Sequence, residues 1–121
     1  MKGSILIIDD DIPILEAVKT ILEDMGFSVE GRSSALEGER LAKEQRFDLV
    51  LVDLRMPEKD GAAVTRSIIE ARPDTPVFVI TGFPGDQLTQ EALASGARGV
   101  LKKPFEIAKI LDFFKEAGRA P

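Results

Sequence analysis

Short, wholly apolar runs alternate along the chain with amphipathic stretches, and their spacing predicts five βα units. Ile5-Leu6-Ile7-Ile8 is apolar at every position and rich in β-branched residues, the pattern of a strand covered on both faces. The next segment spaces Ile14, Val18, Ile21, Leu22 and Met25 as one helical face. Asp11 suits its N-cap, Pro13 its first turn and Gly26 its C-terminal stop. Ser28 to Gly31 is more polar, as befits a strand at a sheet edge. Ser34 and Glu37 stand at capping-box spacing and open a helix through Leu41 to Glu44.

Leu49 to Val52 is a second doubly apolar run, and a bare carboxylate, Asp53, ends it. Past it, Pro57 and the Asp60–Gly61 pair are turn signals, with Asp60 capping a helix that carries Val64, Ile68 and Ile69. The loop from Ala71 to Pro76 ends that helix, and Val77 to Ile80 is a strand reaching Thr81-Gly82. Asp86 opens a more polar, less firmly packed helix through Leu88 and Leu93, stopped by Ser95-Gly96. Val100-Leu101 is a short last strand before Lys102-Lys103-Pro104, and Ile107, Ile110, Leu111 and Phe114 line one face of a final helix. Phe113 lies about 100° around from that stripe, so it either faces outward or is partly covered by neighbours. The pattern therefore predicts an α/β fold: a single doubly wound five-stranded parallel sheet with helices on both faces. The polar second strand at an edge makes 2-1-3-4-5 the economical strand order.

Composition narrows the function more than the fold. At 121 residues and 44% hydrophobic content the chain suits one domain over residues 1–121. Its 16 Lys+Arg against 21 Asp+Glu, net −5, disfavour a nucleic-acid or membrane-surface binder. Cysteine and histidine are both absent, which removes thiolate chemistry, soft-metal sites and the usual general base. No apolar run approaches the roughly 18 residues of a membrane span. The apolar start is too short for a signal-peptide core and runs into three aspartates, so the expected location is cytoplasmic.

In a parallel sheet the C-terminal strand ends share one rim, where sites on open α/β sheets form. Asp9, Asp10 and Asp11 follow the first strand, Asp53 the third, Thr81 the fourth and Lys103 the fifth. Singly, each fits ordinary cap or turn chemistry; together they put carboxylates at two strand ends with a hydroxyl and an amine at the others. Clustered carboxylates either protonate or gather around a hard cation, and an all-oxygen set suits Mg²⁺ or Mn²⁺. A carboxylate beside such a cation can attack phosphorus, with Lys103 and Thr81 placed to neutralise and hydrogen-bond the phosphoryl oxygens.

The runs I-L-I-I-D-D-D, L-V-L-V-D-L-R-M-P-E-K-D-G, V-I-T-G and G-A-R-G-V-L-K-K-P-F resemble a response-regulator receiver domain of two-component signalling, from Ser4 to Ala117. The resemblance implies a flavodoxin-like (βα)5 domain that accepts a phosphoryl group on Asp53 from a sensor histidine kinase or phosphotransfer protein. It further implies a metal held by Asp9, Asp10, Asp53 and the backbone carbonyl of Arg55. Thr81 would be the hydroxyl that moves toward the phosphoryl group. Lys103 would be its ion-pair partner, since it directly precedes Pro104, and the Lys103–Pro104 bond is expected to be cis. Such a domain is not an enzyme beyond its own phosphorylation and autodephosphorylation. It would switch the surface of the fourth and fifth helices to control an output, and a homodimer through the fourth helix, fifth strand and fifth helix is one form this takes. Direct nucleic-acid or membrane binding is not expected of it.

One position departs from the family's pattern. A Tyr or Phe commonly precedes the lysine by three residues and turns inward as the hydroxyl moves; here that position is Val100. Either the signal passes through the loop after Thr81, where Phe83 is flanked by Gly82, Pro84 and Gly85, or Val100 simply fills its strand. A degenerate receiver serving only as an interaction module would usually lack an acidic or lysine position, and none is lacking here. A haloacid-dehalogenase-like phosphatase needs a second aspartate two positions after the first, where this chain has Arg55. A flavodoxin-type cofactor site needs a phosphate loop after the first strand, and three aspartates would repel it.

Overall fold

The computed structural model describes residues 2–118, and strand alternates with helix throughout. Strands β1 (Ser4–Ile8), β2 (Ser28–Arg32), β3 (Leu49–Asp53), β4 (Val77–Thr81) and β5 (Gly99–Lys102) form one sheet, all pairings parallel, in the order β2-β1-β3-β4-β5. Helices α1 (Ile12–Asp24), α2 (Ala35–Glu44), α3 (Gly61–Ala71), α4 (Gln87–Ala94) and α5 (Ile107–Glu116) connect them. This is the doubly wound 2-1-3-4-5 sheet that the apolar runs predict, with polar β2 at one edge.

The strand pleat divides the core in two. In β1, Ile5 and Ile7 face a cluster with Leu15, Val18 and Leu22 of α1 and Ile110 and Phe114 of α5. Leu6 and Ile8 face the opposite cluster, with Leu41 of α2 and Val64 and Ile68 of α3. All four β1 residues from Ile5 to Ile8 are fully buried, each contributing about 1.5–3 kcal/mol over an exposed position. Among the described residues no helix is long and apolar enough to cross a membrane.

Helix boundaries follow local chemistry. Asp11, Ser34, Asp60 and Asp86 are N-caps whose side chains accept from the backbone N–H of Ile14, Glu37, Ala63 and Thr89. Gly26 follows α1 at φ +101°, a conformation that L side chains resist, with its N–H on the Glu23 carbonyl and that of Phe27 on the Leu22 carbonyl.

The predicted face of α1 needs correction. Leu15, Val18 and Leu22 point into the core, while Ile14 and Ile21 are 37% and 46% exposed and Met25 is only partly buried. The true stripe has the 3–4 spacing of residues 15, 18 and 22; Ile14 and Ile21 sit one position to the side of it. They line an apolar groove of about 250 Å³ with Ala17, Pro104, Phe105 and Ile107. In α4, Thr89 and Ala92 are buried and Leu93 is exposed, in keeping with a weakly packed helix.

Candidate functional site

The pleat that buries β1 and β3 also delivers their first polar residues to one rim. Asp9 follows β1 and is 0% exposed; Asp53 closes β3 and is 2% exposed; Asp10 beside them is exposed. Ligand oxygens from Asp9, Asp10 and Asp53 lie within 4.8 Å of one another, and among the described residues this is the acidic group close enough to share an ion. Asp9 Oδ1 accepts the Asp11 N–H at 3.0 Å, whereas Asp9 Oδ2 is buried with no hydrogen-bond partner. A buried carboxylate oxygen left bare beside two further carboxylates fits a hard divalent cation by charge and donor type.

Burial and neighbouring charge both act on the Asp9 carboxyl. Burial pushes the Asp9 carboxyl up from 3.8 to about 7, opposed by the Asp11 N–H and reinforced by the neighbouring Asp53 charge. Lys103 balances the charge of the cluster: its Nζ is 3.0 Å from Asp53 Oδ2. Burial would lower the Lys103 ammonium, but the hydrogen bond and charge of Asp53, with Asp9 and Asp10 behind, hold it above its ordinary value. The Lys103–Pro104 peptide is cis, as the resemblance implies.

Thr81, the last residue of β4, is 2% exposed, and its Oγ1 accepts the Phe83 N–H at 2.9 Å. Arg55 donates its backbone N–H to Asp53 Oδ1 at 3.1 Å, while its side chain points outward to Asp86. The structure therefore brings Asp9, Asp10, Asp53 and Lys103 into one charged cluster, with Thr81 ending the neighbouring strand and Arg55 on the loop after Asp53.

Sequence reasoning reads Gly61 as turn punctuation, and its role is larger. A Cβ there would lie 2.3 Å from the Asp53 carbonyl oxygen and 2.6 Å from Leu54 Cα, so α3 can start against the end of β3 only with glycine. The Gly61 N–H donates to the Leu54 carbonyl at 2.8 Å. Two further ties are missed altogether. Glu58 accepts the Ala35 N–H at 2.8 Å, and Glu39 receives Lys59 at 2.8 Å, the Ser67 hydroxyl at 2.9 Å and Lys43 at 3.2 Å. Together they clasp the loop after Asp53 to α2 and α3.

The predicted aromatic substitute also has a place. Val100 is partly buried against the small cluster of Leu54, Ala62, Val79, Ala92 and Ala97. Phe113 is partly buried rather than free, edge-on to Phe78 at 5.3 Å and to Phe114 at 5.2 Å.

A doubly wound parallel sheet with an acidic cluster, a lysine and a hydroxyl at its C-terminal rim defines a receiver-type α/β domain. Residues 5–115 match the family described as the response regulator receiver domain, and the chain belongs to that family. The transcriptional regulatory protein ZraR of Salmonella typhimurium is 32% identical over 116 residues, covering 96% of this chain and 26% of that protein. The chain thus spans about a quarter of the length of the curated relatives it matches. The receiver domain of the sensor histidine kinase PA1611 of Pseudomonas aeruginosa, solved with a magnesium ion in its active-site cleft, is 25% identical at TM-score 0.84, covering 94% of this chain and 95% of that one. A response regulator of Burkholderia pseudomallei, solved with a phosphorylated aspartic acid, a calcium ion and citrate, is 25% identical at TM-score 0.82, covering 95% of this chain and 70% of that one.

Proposed function

We propose that the chain is a working phosphoacceptor: Asp53 takes a phosphoryl group from a phosphohistidine on a sensor kinase or phosphotransfer protein. The observation that carries this reading is the 3.0 Å contact of Lys103 Nζ with Asp53 Oδ2, in a cluster with two further carboxylates. A lone structural ion pair would need no second and third acid beside it.

Asp9, Asp10, Asp53 and the Arg55 backbone carbonyl would hold Mg²⁺ or Mn²⁺, which when bound supplies positive charge for the phosphoryl oxygens. An Asp53 carboxylate oxygen attacks phosphorus; as the P–O bond forms, the P–N bond breaks and its electron pair returns to the donor imidazole. Lys103 releases part of its hold on Asp53 to neutralise the incoming oxygens, and Thr81 turns its hydroxyl to donate to one of them. The 121 residues contain no histidine, so the donor histidine lies outside them. The magnesium of the PA1611 receiver and the phosphorylated aspartic acid of the Burkholderia regulator support the same chemistry here.

The switched surface in this reading is α4-β5-α5, where a groove of about 400 Å³ opens beside Phe78, Val100, Lys109 and Phe113 and could seat an output partner or a second copy. The domain itself binds neither nucleic acid nor membrane, and it acts in the cytoplasm. The test is incubation with acetyl phosphate and Mg²⁺ followed by mass spectrometry. A Mg²⁺-dependent phosphoryl adduct is expected on the wild type and absent from Asp53→Asn; a wild type that takes up no phosphoryl group overturns the reading.

A further inference from the structure

The loops that follow Asp53 and Thr81 are joined by contacts that phosphoryl acceptance does not use. The Arg55 guanidinium lies over the Phe83 ring, 5.4 Å from its centroid, and donates to the Asp86 carboxylate. Asp86 is the N-cap of α4 and accepts both the Thr89 N–H at 3.0 Å and the Thr89 hydroxyl at 2.9 Å. That hydroxyl is also 3.2 Å from the Phe83 carbonyl, and the Phe83 N–H rests on Thr81 Oγ1. The segment from Thr81 to Asp86 is therefore held by polar contacts at Thr81, Thr89 and Arg55. Apolar packing contributes little: Phe83 is 64% exposed. A Cβ added at Gly82 or Gly85 would meet nothing within 4 Å, so no side chain packs on that side of either residue.

We propose that Arg55, Phe83 and Asp86 form a strap joining the phosphoacceptor loop to α4, and that phosphorylation of Asp53 opens it. The proposal rests on the phosphoacceptor reading and adds the route by which the modified site reaches α4. The phosphoryl group competes for two of the holding contacts. Thr81 Oγ1 accepts from Phe83 N–H in the present rotamer; turning the hydroxyl to donate to a phosphoryl oxygen takes that acceptor away. Arg55 has its backbone N–H 3.1 Å from Asp53 Oδ1, so a new dianion would arise beside the root of its side chain. A guanidinium prefers a phosphoryl dianion to one exposed carboxylate, since charge and paired acceptors both favour it. Both losses fall on Phe83. The strap thus supplies a mobile aromatic residue in a chain whose Val100 cannot turn a ring inward.

The test is amide hydrogen exchange over residues 82–89 of the full chain, with Mg²⁺ and with Mg²⁺ plus beryllofluoride, which stands in for the phosphoryl group. Beryllofluoride should speed exchange at Phe83 and the first turn of α4 several-fold in the wild type. Asp86→Asn keeps a side-chain cap on α4 but loses the charge that holds Arg55; it should show the faster exchange without beryllofluoride, and its melting temperature should rise with Mg²⁺ as the wild type's does. Phe83→Leu should do the same through loss of the ring. If fluorine NMR shows the adduct while exchange over 82–89 is unchanged, or if both variants exchange like the unmodified wild type, the strap is overturned and the phosphoacceptor reading stands. If no adduct forms, the phosphoacceptor reading falls and the strap falls with it.

Discussion

Lys103 reaches across the sheet rim to place Nζ 3.0 Å from Asp53 Oδ2, a contact between residues 50 apart in sequence. Its neighbour Lys102 is exposed and uses its backbone N–H on the Glu106 carboxylate at 2.8 Å. Two adjacent lysines thus have separate tasks, and substitution distinguishes them. Lys103→Ala should abolish or severely weaken the response to acetyl phosphate or beryllofluoride, and lower metal-free stability by on the order of 1 kcal/mol, the pair being partly solvated. Lys102→Ala should leave both near wild type. Equal effects on phosphoryl uptake would reverse the assignment.

The acidic cluster sets a pH signature. The Asp9 carboxyl titrates near 7 in the folded chain and near 3.8 when unfolded, so between those values the folded state binds the extra proton. Stability of the metal-free protein should therefore rise as pH falls from 8 toward 5. Glu39 has the opposite sign. Burial raises it, but Lys59, Ser67 and Lys43 together hold it below its ordinary 4.5, so its contribution is present above that value and lost in more acid solution. Denaturant melts should place the metal-free maximum in mildly acidic solution. Millimolar Mg²⁺ should raise the melting temperature most on the alkaline side, where it replaces the proton among the carboxylates. A metal-free curve flat from pH 5 to 8 would contradict the buried, bare Asp9 oxygen.

Gly61 is the tightest point of the fold at the site. A methyl group there meets Asp53 and Leu54 backbone rather than a side chain that could swing aside. Gly61→Ala should cost about 1–3 kcal/mol, the range for overpacking, and slow phosphoryl uptake by shifting the Asp53 backbone. Gly85→Ala, whose added methyl would meet nothing, should stay within about 0.5 kcal/mol of wild type. Urea melts and the acetyl phosphate reaction compare the two.

The acidic part of the site is legible because its carboxylates end or directly follow buried strands. Val52 and Ile80 must be apolar, so the first polar residue after each marks where the strand leaves the core. Asp53 and Thr81 are therefore assigned to one rim by position alone; after β5 the first polar residue is Lys102, and Lys103 follows only from the resemblance, as the lysine that directly precedes Pro104. Contacts between surface elements carry no such marker. Glu39 with Lys59, and Arg55 with Asp86, join loops and helices whose spacing in sequence follows no period. Gly61 was hidden for a related reason: a turn glycine and a glycine of close approach are the same letter.

The face of α1 was misread because its apolar residues are more numerous than the core can take. Ile12, Ile14 and Ile21 are exposed, whereas Leu15, Val18 and Leu22 are buried in the core and Met25 packs partly against it. Periodicity counts apolar positions; it cannot tell which of two adjacent stripes meets the sheet. The structure separates them by a measurable cost. Leu15→Ala removes a buried side chain beside Ile5 and Ile7 and should destabilise by about 2–5 kcal/mol. Ile14→Ala and Ile21→Ala remove side chains already in partial contact with water, and each should cost about 1 kcal/mol or less. Chemical denaturation of the three variants decides the matter. A loss at Ile14 or Ile21 as large as that at Leu15 would mean α1 is turned about its axis, and would take the apolar groove beside Pro104 and Phe105 with it.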